Sequence, residues 1–288
     1  MAMLVFVNVM WGLSFIFSKT ALSEGMPPMT LAFLRYLITA GLMLPLCLKL
    51  EHGVRLYEWV PRAFATTLLG ITVYFFFFEH SGLQRTTASA ASLIVSLVPM
   101  MTLLFRVCFC RERISLTRWM AVVLSLVGAY LVIVTGSEVG GSSLTGNLLM
   151  VGASLCWTGY ILTTPKLLES CSSLRVSTWQ ALAAVVTLAP FALAERGQWV
   201  CVSPVAWLCI VLLAAVCSAL CYVLYNLAMR VVDSLTVSLS INLNPITACV
   251  AGALLLGEQL TGMQLAGGIL IVLSMVVDTF ATRDAKKP

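Results

Sequence analysis

"NPITACVAGALLLGEQL" spans residues 244–260, and far upstream "VPMMTLLFRVCFCRERI" spans 98–114. In both, a proline within an apolar run is followed thirteen residues later by a glutamate, Pro245 to Glu258 and Pro99 to Glu112. The two prolines stand 146 residues apart, and the same offset lays Trp157 on Trp11, Ser238 on Ser92, Leu243 on Leu97, Thr261 on Ser115 and Leu270 on Leu124. One offset that holds along the whole chain marks an internal duplication whose unit is half the sequence.

Composition says what kind of unit is repeated. Of 288 residues, 60% are hydrophobic and 10% charged, against about 25% charged in ordinary soluble domains. Mean hydropathy is +1.00. Apolar runs of bilayer-crossing length recur with short polar breaks, which predicts ten spans at 2–22, 29–48, 63–78, 88–105, 119–135, 147–165, 176–194, 205–225, 235–256 and 263–280. The expected fold class is an all-α integral membrane protein with ten transmembrane helices, its main partner the lipid bilayer. The first span lacks a basic start and a small-residue cleavage site, so it reads as a retained helix and not as a signal peptide.

Five spans fall in each half. Because five is odd, the second half enters the bilayer from the opposite side, giving inverted repeats about a pseudo-two-fold axis in the membrane plane. The predicted organisation is a first repeat over 1–136, an extracytoplasmic linker "SEVGGSSLTG" at 137–146, a second repeat over 147–282 and a basic tail at 283–288. Of the seventeen Lys and Arg, thirteen fall on the side of the N-terminus and two, Arg85 and Arg196, on the other, while Lys19 and Arg35 lie within spans. That bias predicts both termini in the cytoplasm. The basic balance thus reports topology, and no nucleic-acid partner is expected.

The cysteines and histidines offer little chemistry. Cys47, Cys156, Cys209, Cys217, Cys221 and Cys249 sit inside spans and, with Cys108 just past the end of span four, read as small packing residues. Cys108 and Cys110 form only CxC, and the two histidines, His52 and His80, stand at segment ends, so no metal and no cofactor are expected. A GxxxxGK[ST] phosphate loop is absent from the sequence, so ATP is not the direct driver.

Polar groups inside hydrocarbon are costly and mark candidate sites. Asn8, Trp11 and Ser14 recur at intervals of three and share a face of span one; span six carries Ser154, Trp157 and Tyr160 in the same register. Ser89, Ser92 and Ser96 line span four, Ser238 and Asn242 span nine, and Tyr222, Tyr225 and Asn226 span eight, while Tyr74 of span three can join the wall. Together they predict a substrate pocket near the midplane around Trp11, Trp157, Tyr222 and Asn242. Packing is the competing reading for the two tryptophans. Trp59, Trp119, Trp199 and Trp207 stand near span ends and read as interface anchors. Pro99 and Pro245 are either inherited packing kinks or gating kinks. Thr261 and Gln264 spell a T-x-x-Q capping box, which favours a structural part for the neighbouring Glu258. Two charges lie at depth: Lys19 has a snorkelling route to the interface, and Arg35 either serves structure or attracts a substrate carboxylate or phosphate.

"WGLSFIFSK" at 11–19, "LAFLRYLITAGLMLPL" at 31–46, "WTGYILTTPKLL" at 157–168 and the two Pro-to-Glu segments resemble the EamA-type repeats of the drug/metabolite transporter superfamily over nearly the whole chain. The resemblance implies a bundle of two inverted five-helix repeats that carries small metabolites across a bacterial inner membrane, often outward. The small-residue face from Ser125 to Ala129 in span five fits either a homodimer contact or packing within a monomer. Family members handle amino acids, purines and other metabolites, so the resemblance leaves the substrate open. The halves differ where Arg35 maps to Ala181, which leaves the arginine without a twin.

The expected function is a secondary transporter of a small metabolite such as an amino acid, working by alternating access and directed to export. Two alternatives stand beside it. Proton-coupled drug efflux wants a mid-depth titratable group, whereas Glu79, His80, Asp233 and Asp278 all fall near span ends. A membrane-embedded transferase acting on a lipid-linked substrate wants a cluster of His, Asp or Glu at one face, and the sequence offers none.

Overall fold

A bilayer core gives backbone N–H and C=O groups no partner, so a chain this apolar must close its hydrogen bonds within helices. The computed structural model describes residues 2–51, 60–110, 115–132, 143–231, 237, 240, 241 and 243–285. The predicted site residues Ser238 and Asn242, with Trp59, Glu112 and Asp233, lie outside these residues. The helices in chain order are α1 (Ala2–Ser23), α2 (Pro28–Leu50), α3 (Val60–Thr67), a π-helical stretch Leu68–Glu79, α4 (His80–Leu83), α5 (Ala88–Val95), α6 (Val98–Cys110), α7 (Leu116–Tyr130), α8 (Leu144–Leu168), α9 (Ser173–Ala194), α10 (Pro204–Leu212), a second π-helical stretch Leu213–Leu220, α11 (Cys221–Val231), α12 (Leu243–Leu256) and α13 (Gly262–Ala285). Among the described residues, six stretches are long and apolar enough to cross a membrane: Ala2–Ser23, Pro28–Leu50, Ala88–Phe109, Leu144–Leu168, Ser173–Ala194 and Pro204–Val231. Phe64–Phe75, Leu116–Tyr130, Leu243–Leu256 and Gly262–Ser274 are shorter apolar helices.

Helix starts follow the sequence. The hydroxyls of Thr87, Ser143, Ser172 and Ser203 accept from the N–H three residues on and cap α5, α8, α9 and α10. Each such cap contributes about 1 kcal/mol. Thr261 Oγ1 accepts from Gln264 N at 3.1 Å while Gln264 Oε1 accepts from Thr261 N at 3.0 Å, the reciprocal box expected ahead of α13. Gly257, at φ 65°, takes the left-handed turn that ends α12.

Span four is broken. α5 stops at Val95 and α6 begins at Val98, which puts Pro99 in the first turn of α6, and Pro245 likewise in the first turn of α12. A proline there gives up an N–H that would have no helical partner. The prolines therefore start half-helices, where the sequence suggested kinks within continuous ones. The two π-helical stretches also went unseen in the sequence, since "LLGITVYFFFFE" and "LAAVCSAL" carry no signal beyond apolarity. Their five-residue bond spacing turns carbonyls outward to other partners: Ala214 O accepts from Thr39 Oγ1 at 3.0 Å and Cys217 O from Trp11 Nε1 at 2.9 Å.

Packing joins elements distant in sequence. α1 lies against α12 and against α10, α11 and the stretch between them; α8 lies against α5, α6 and the first π-helical stretch. α2 packs along α9, and α7 along α13. In the last pair, a Cβ on Gly128 would come within 2.6 Å of Gly267 O and one on Gly267 within 2.6 Å of Gly128 O. The small-residue face of α7 is thus spent on contact within the chain. Large apolar side chains such as Leu42, Val123, Val186 and Leu254 remain exposed around the bundle, as a lipid-facing surface requires.

Three carboxylates stitch one end of the bundle. Glu24 accepts from Ser203 N and Oγ, both at 2.7 Å, at the start of α10. Those bonds hold its carboxyl below the usual carboxylate range, the hydroxyl more than the N–H. Glu195 accepts from Met29 N, Thr30 N and Thr30 Oγ1 at the start of α2. Glu258 accepts from Ala88 N, Ser89 N and Ser89 Oγ at the start of α5. Gly252 makes room for this last contact, because a Cβ there would sit 2.8 Å from both Glu258 Oε2 and Ser89 Oγ. At the opposite end, Arg175 Nη2 pairs with Glu51 Oε2 at 3.0 Å.

Candidate substrate pocket

A pocket in the middle of the bundle is lined by Trp11, Ser14, Phe15, Arg35, Tyr74, Phe75, Val95, Trp157, Tyr222, Ile241 and Asn244. Its walls come from α1, α2, the first π-helical stretch, α5, α8, α11, Ile241 and the first turn of α12. The tryptophans form the centre. Trp11 and Trp157 meet edge to face with ring centroids 5.2 Å apart, and Tyr222 stands 5.7 Å from Trp11 and 6.0 Å from Trp157. Tyr74 reaches Trp157 at 5.6 Å. Such pairs add about 0.5–1.5 kcal/mol each beyond burial. The space open to the centre of a water molecule is about 40 Å³. The pocket is small, and its size admits only a small ligand unless the walls move.

Hydrogen bonds hold the cage. Trp11 is fixed by its indole bond to Cys217 O. Tyr36 donates to Tyr222 Oη at 3.1 Å. Ser14 Oγ donates to Trp11 O at 2.6 Å. Arg35, 3% exposed, donates from Nε to Ser218 Oγ at 2.6 Å, and its guanidinium carbon stands 4.9 Å from the centroid of Phe75. An aromatic face beside the cation offsets part of the cost of burying it.

Of the residues predicted from sequence, Trp11, Ser14, Tyr74, Trp157, Tyr222 and Arg35 converge on this pocket. Others are elsewhere. Asn8 donates to Leu4 O and Ser240 Oγ, tying α1 to residue 240. Ser92 and Ser96 donate back to Ser89 O and Leu93 O within their own segment. Tyr160 stacks on Trp157 at 4.8 Å and donates to Asn226 Oδ1 and Gln180 Oε1, while Asn226 Nδ2 donates to Ser177 Oγ. Tyr160 and Asn226 thus form a buried polar network behind the cage, with Tyr225 beside Trp11 at 4.7 Å. Lys19 donates from Nζ to Leu83 O and Thr86 O and so ties α1 to the turn before α5. The pocket residues missed in the sequence are Phe15, Phe75, Val95, Ile241 and Asn244. For Asn244 a signal existed: an amide before a proline in an apolar run, 146 residues beyond the start of α6. Among the described residues no group of His, Cys, Asp and Glu is placed to hold a metal ion.

An apolar helical bundle folded round a polar and aromatic pocket is the build of a membrane transport protein. The chain belongs to the EamA-like transporter family, which matches residues 1–134 and again 144–279. It is 25% identical over 291 residues to a "Probable amino-acid metabolite efflux pump" of Salmonella typhimurium, covering 96% of this chain and 93% of that one. It is 28% identical to the "Threonine/homoserine exporter RhtA" of the same species over 167 residues, which cover 56% of this chain and 54% of the exporter. A solved crystal structure superposes with a TM-score of 0.70, covering 99% of this chain and 98% of its own at 19% identity, a likeness of fold. The family and these relatives place the chain among transporters and not among enzymes.

Proposed function

We propose that the protein is a secondary transporter that moves a small metabolite such as an amino acid out across the cytoplasmic membrane of a bacterium, by alternating access between two inverted five-helix repeats with both termini in the cytoplasm. The observation that carries this reading is the contact of Trp11 with Trp157. These residues stand 146 apart, so the pocket centres on two copies of one position, where a pseudo-two-fold axis would pass.

The packing supports the same symmetry. Shifted by 146 residues, the contact of α1 with α12 becomes that of α8 with α6, and the contact of α1 with the segment α10–α11 becomes that of α8 with α3–α4; α2 with α9 and α7 with α13 map onto themselves. Both π-helical stretches and both proline-started half-helices fall at corresponding positions. Two halves so alike can exchange shapes, and the exchange opens the pocket to one side and then the other. The relatives' names support amino acids as cargo and export as direction.

Counterflow of radiolabelled L-amino acids into proteoliposomes tests the reading. Wild type should accumulate at least one of them, and Trp157→Ala should lower the rate about ten-fold or more with the protein still folded, in line with losing about 1.4 kcal/mol or more of contact energy. Wild-type protein that accumulates none, or a folded Trp157→Ala protein with an unchanged rate, would count against it.

A further inference from the structure

Between α12 and α13 the bundle opens sideways into an apolar cleft far larger than the central pocket. The space in it open to the centre of a water molecule is about 330 Å³, against about 40 Å³ in the pocket. We propose that this cleft is a binding site for one acyl chain of a membrane phospholipid, whose headgroup stays at the bilayer surface on the side where Glu258 binds α5. The proposal concerns the cleft and goes beyond the transporter reading without resting on it.

Packing explains why the cleft exists. α12 lies on α1 and α5 whereas α13 lies along α7, so the two helices lean on different neighbours although only the turn at Gly257 separates them. Pro245, Ile246 and Cys249 of α12 form one wall, and Leu265, Ile269 and Leu273 of α13 form the other. Leu93 of α5 is the floor. Gly268 lets that floor come close, because a Cβ there would stand 2.8 Å from Leu93 Cδ2.

Position, polarity and length select the occupant. Ile246, Leu265, Ile269 and Leu273 are exposed lips that continue the apolar belt around the bundle, so the medium that reaches the cleft is the hydrocarbon of the bilayer. Water is unsuited to it. A trapped water needs several polar partners, and the described lining offers a thiol, Cys249, and an amide, Gln264, whose oxygen already accepts from Thr261 N. Leu265 and Leu273 lie two turns apart, about 12 Å at helical rise, close to the roughly 15 Å of hydrocarbon that one leaflet contributes. None of the described lining residues is charged, so nothing within the cleft holds the carboxylate of a free fatty acid, and the chain is recognised through its hydrocarbon. The cleft also shares a partition with the central pocket: Leu93 and Pro245 face the cleft, while their near neighbours Val95 and Asn244 face the pocket. An acyl chain in the cleft therefore props the back of the pocket wall.

The test uses the full chain in vesicles of phosphatidylethanolamine and phosphatidylglycerol with a trace of phosphatidylcholine that carries a diazirine in one acyl chain, and maps the photoadducts by mass spectrometry. In wild type, adducts should be several-fold more abundant on Ile246, Leu265, Ile269 and Leu273 than on Val186 and Leu208, which are at least as exposed and lie outside the cleft. Cys249→Trp and Ile269→Trp each set a ring into the cleft, and in protein with wild-type elution volume the yield at Leu265 and Leu273 should fall to that at Val186. Excess oleate should leave the wild-type adducts in place. The wild-type comparison needs no variant, so it decides even where both substitutions fail to fold. Adducts spread evenly over the exposed apolar residues overturn the proposal, as do cleft adducts unchanged in both folded variants. Adducts removed by oleate overturn it in favour of a fatty acid, and a dimer whose contact leaves the cleft unlabelled overturns it in favour of a second copy of the chain. None of these readouts requires transport, so they decide the proposal whether or not any amino acid is moved.

Discussion

Trp11 shows how much one side chain does here. Its ring meets Trp157, Tyr222 and Tyr225, and its Nε1 holds Cys217 O, a carbonyl released by the π-helical stretch. Trp11→Phe keeps the ring contacts and strands that carbonyl, so it should cost about 1–3 kcal/mol, read as a lower thermal midpoint in detergent. An unchanged midpoint would mean that the indole bond does not anchor the cage. The tryptophan was legible in the sequence because a large amphipathic ring sat deep in an apolar span and returned after 146 residues. Asn8 and Asn226 carry the same kind of signal and tie elements together, Asn8 Nδ2 donating to Ser240 Oγ and Asn226 Nδ2 to Ser177 Oγ, because a buried amide donates to whichever acceptor the packed bundle sets beside it. Asn244 carries a weaker signal, an amide just ahead of Pro245, and its place in the pocket depends on a helix start that the apolar pattern does not show.

At the level of the element, the three carboxylates are ties between helix starts and the ends of other helices. Glu258 binds the first N–H groups of α5 with a full negative charge, where the helix dipole favours one, in a niche opened by Gly252. Glu258→Gln should weaken this tie, and Gly252→Ala should push the carboxylate off Ser89. Each change should raise the reaction of the half-buried Cys249, which lies on α12 beside α5, with a membrane-impermeant thiol reagent, followed by mass spectrometry of its peptide. Labelling that stays at the wild-type level in both variants would show that this end is held shut by something else. The Thr261–Gln264 box and the other caps were legible because capping is a local code of three residues. The ties of Glu24 and Glu195 were not, because their partners lie 179 and about 165 residues away and only the packed bundle brings them together.

For the whole molecule, the duplication was the most legible feature and the composition the next, since neither depends on tertiary contact. The broken spans and π-helical stretches were the least legible, because in apolar sequence the spacing of backbone bonds is set by neighbours. The halves are also interwoven and do not sit side by side. Arg35 bonds to Ser218 across 183 residues, Tyr36 to Tyr222 across 186 and Trp11 to Cys217 across 206. Expressed as separate fragments, 1–136 and 147–288 should each be degraded in cells, and together they should assemble into a complex that purifies through a tag on either piece. A lone fragment that accumulates as a stable monomer would show that the interweaving is not needed.

This interweaving has a consequence for synthesis. Arg35 enters the membrane with the second helix, long before the ribosome has made Ser218 or the rings of Trp157 and Tyr222. Until α11 arrives, the nascent chain carries a guanidinium at depth and an unfinished cage. The pocket and the burial of its arginine are therefore completed together, by the helices made last.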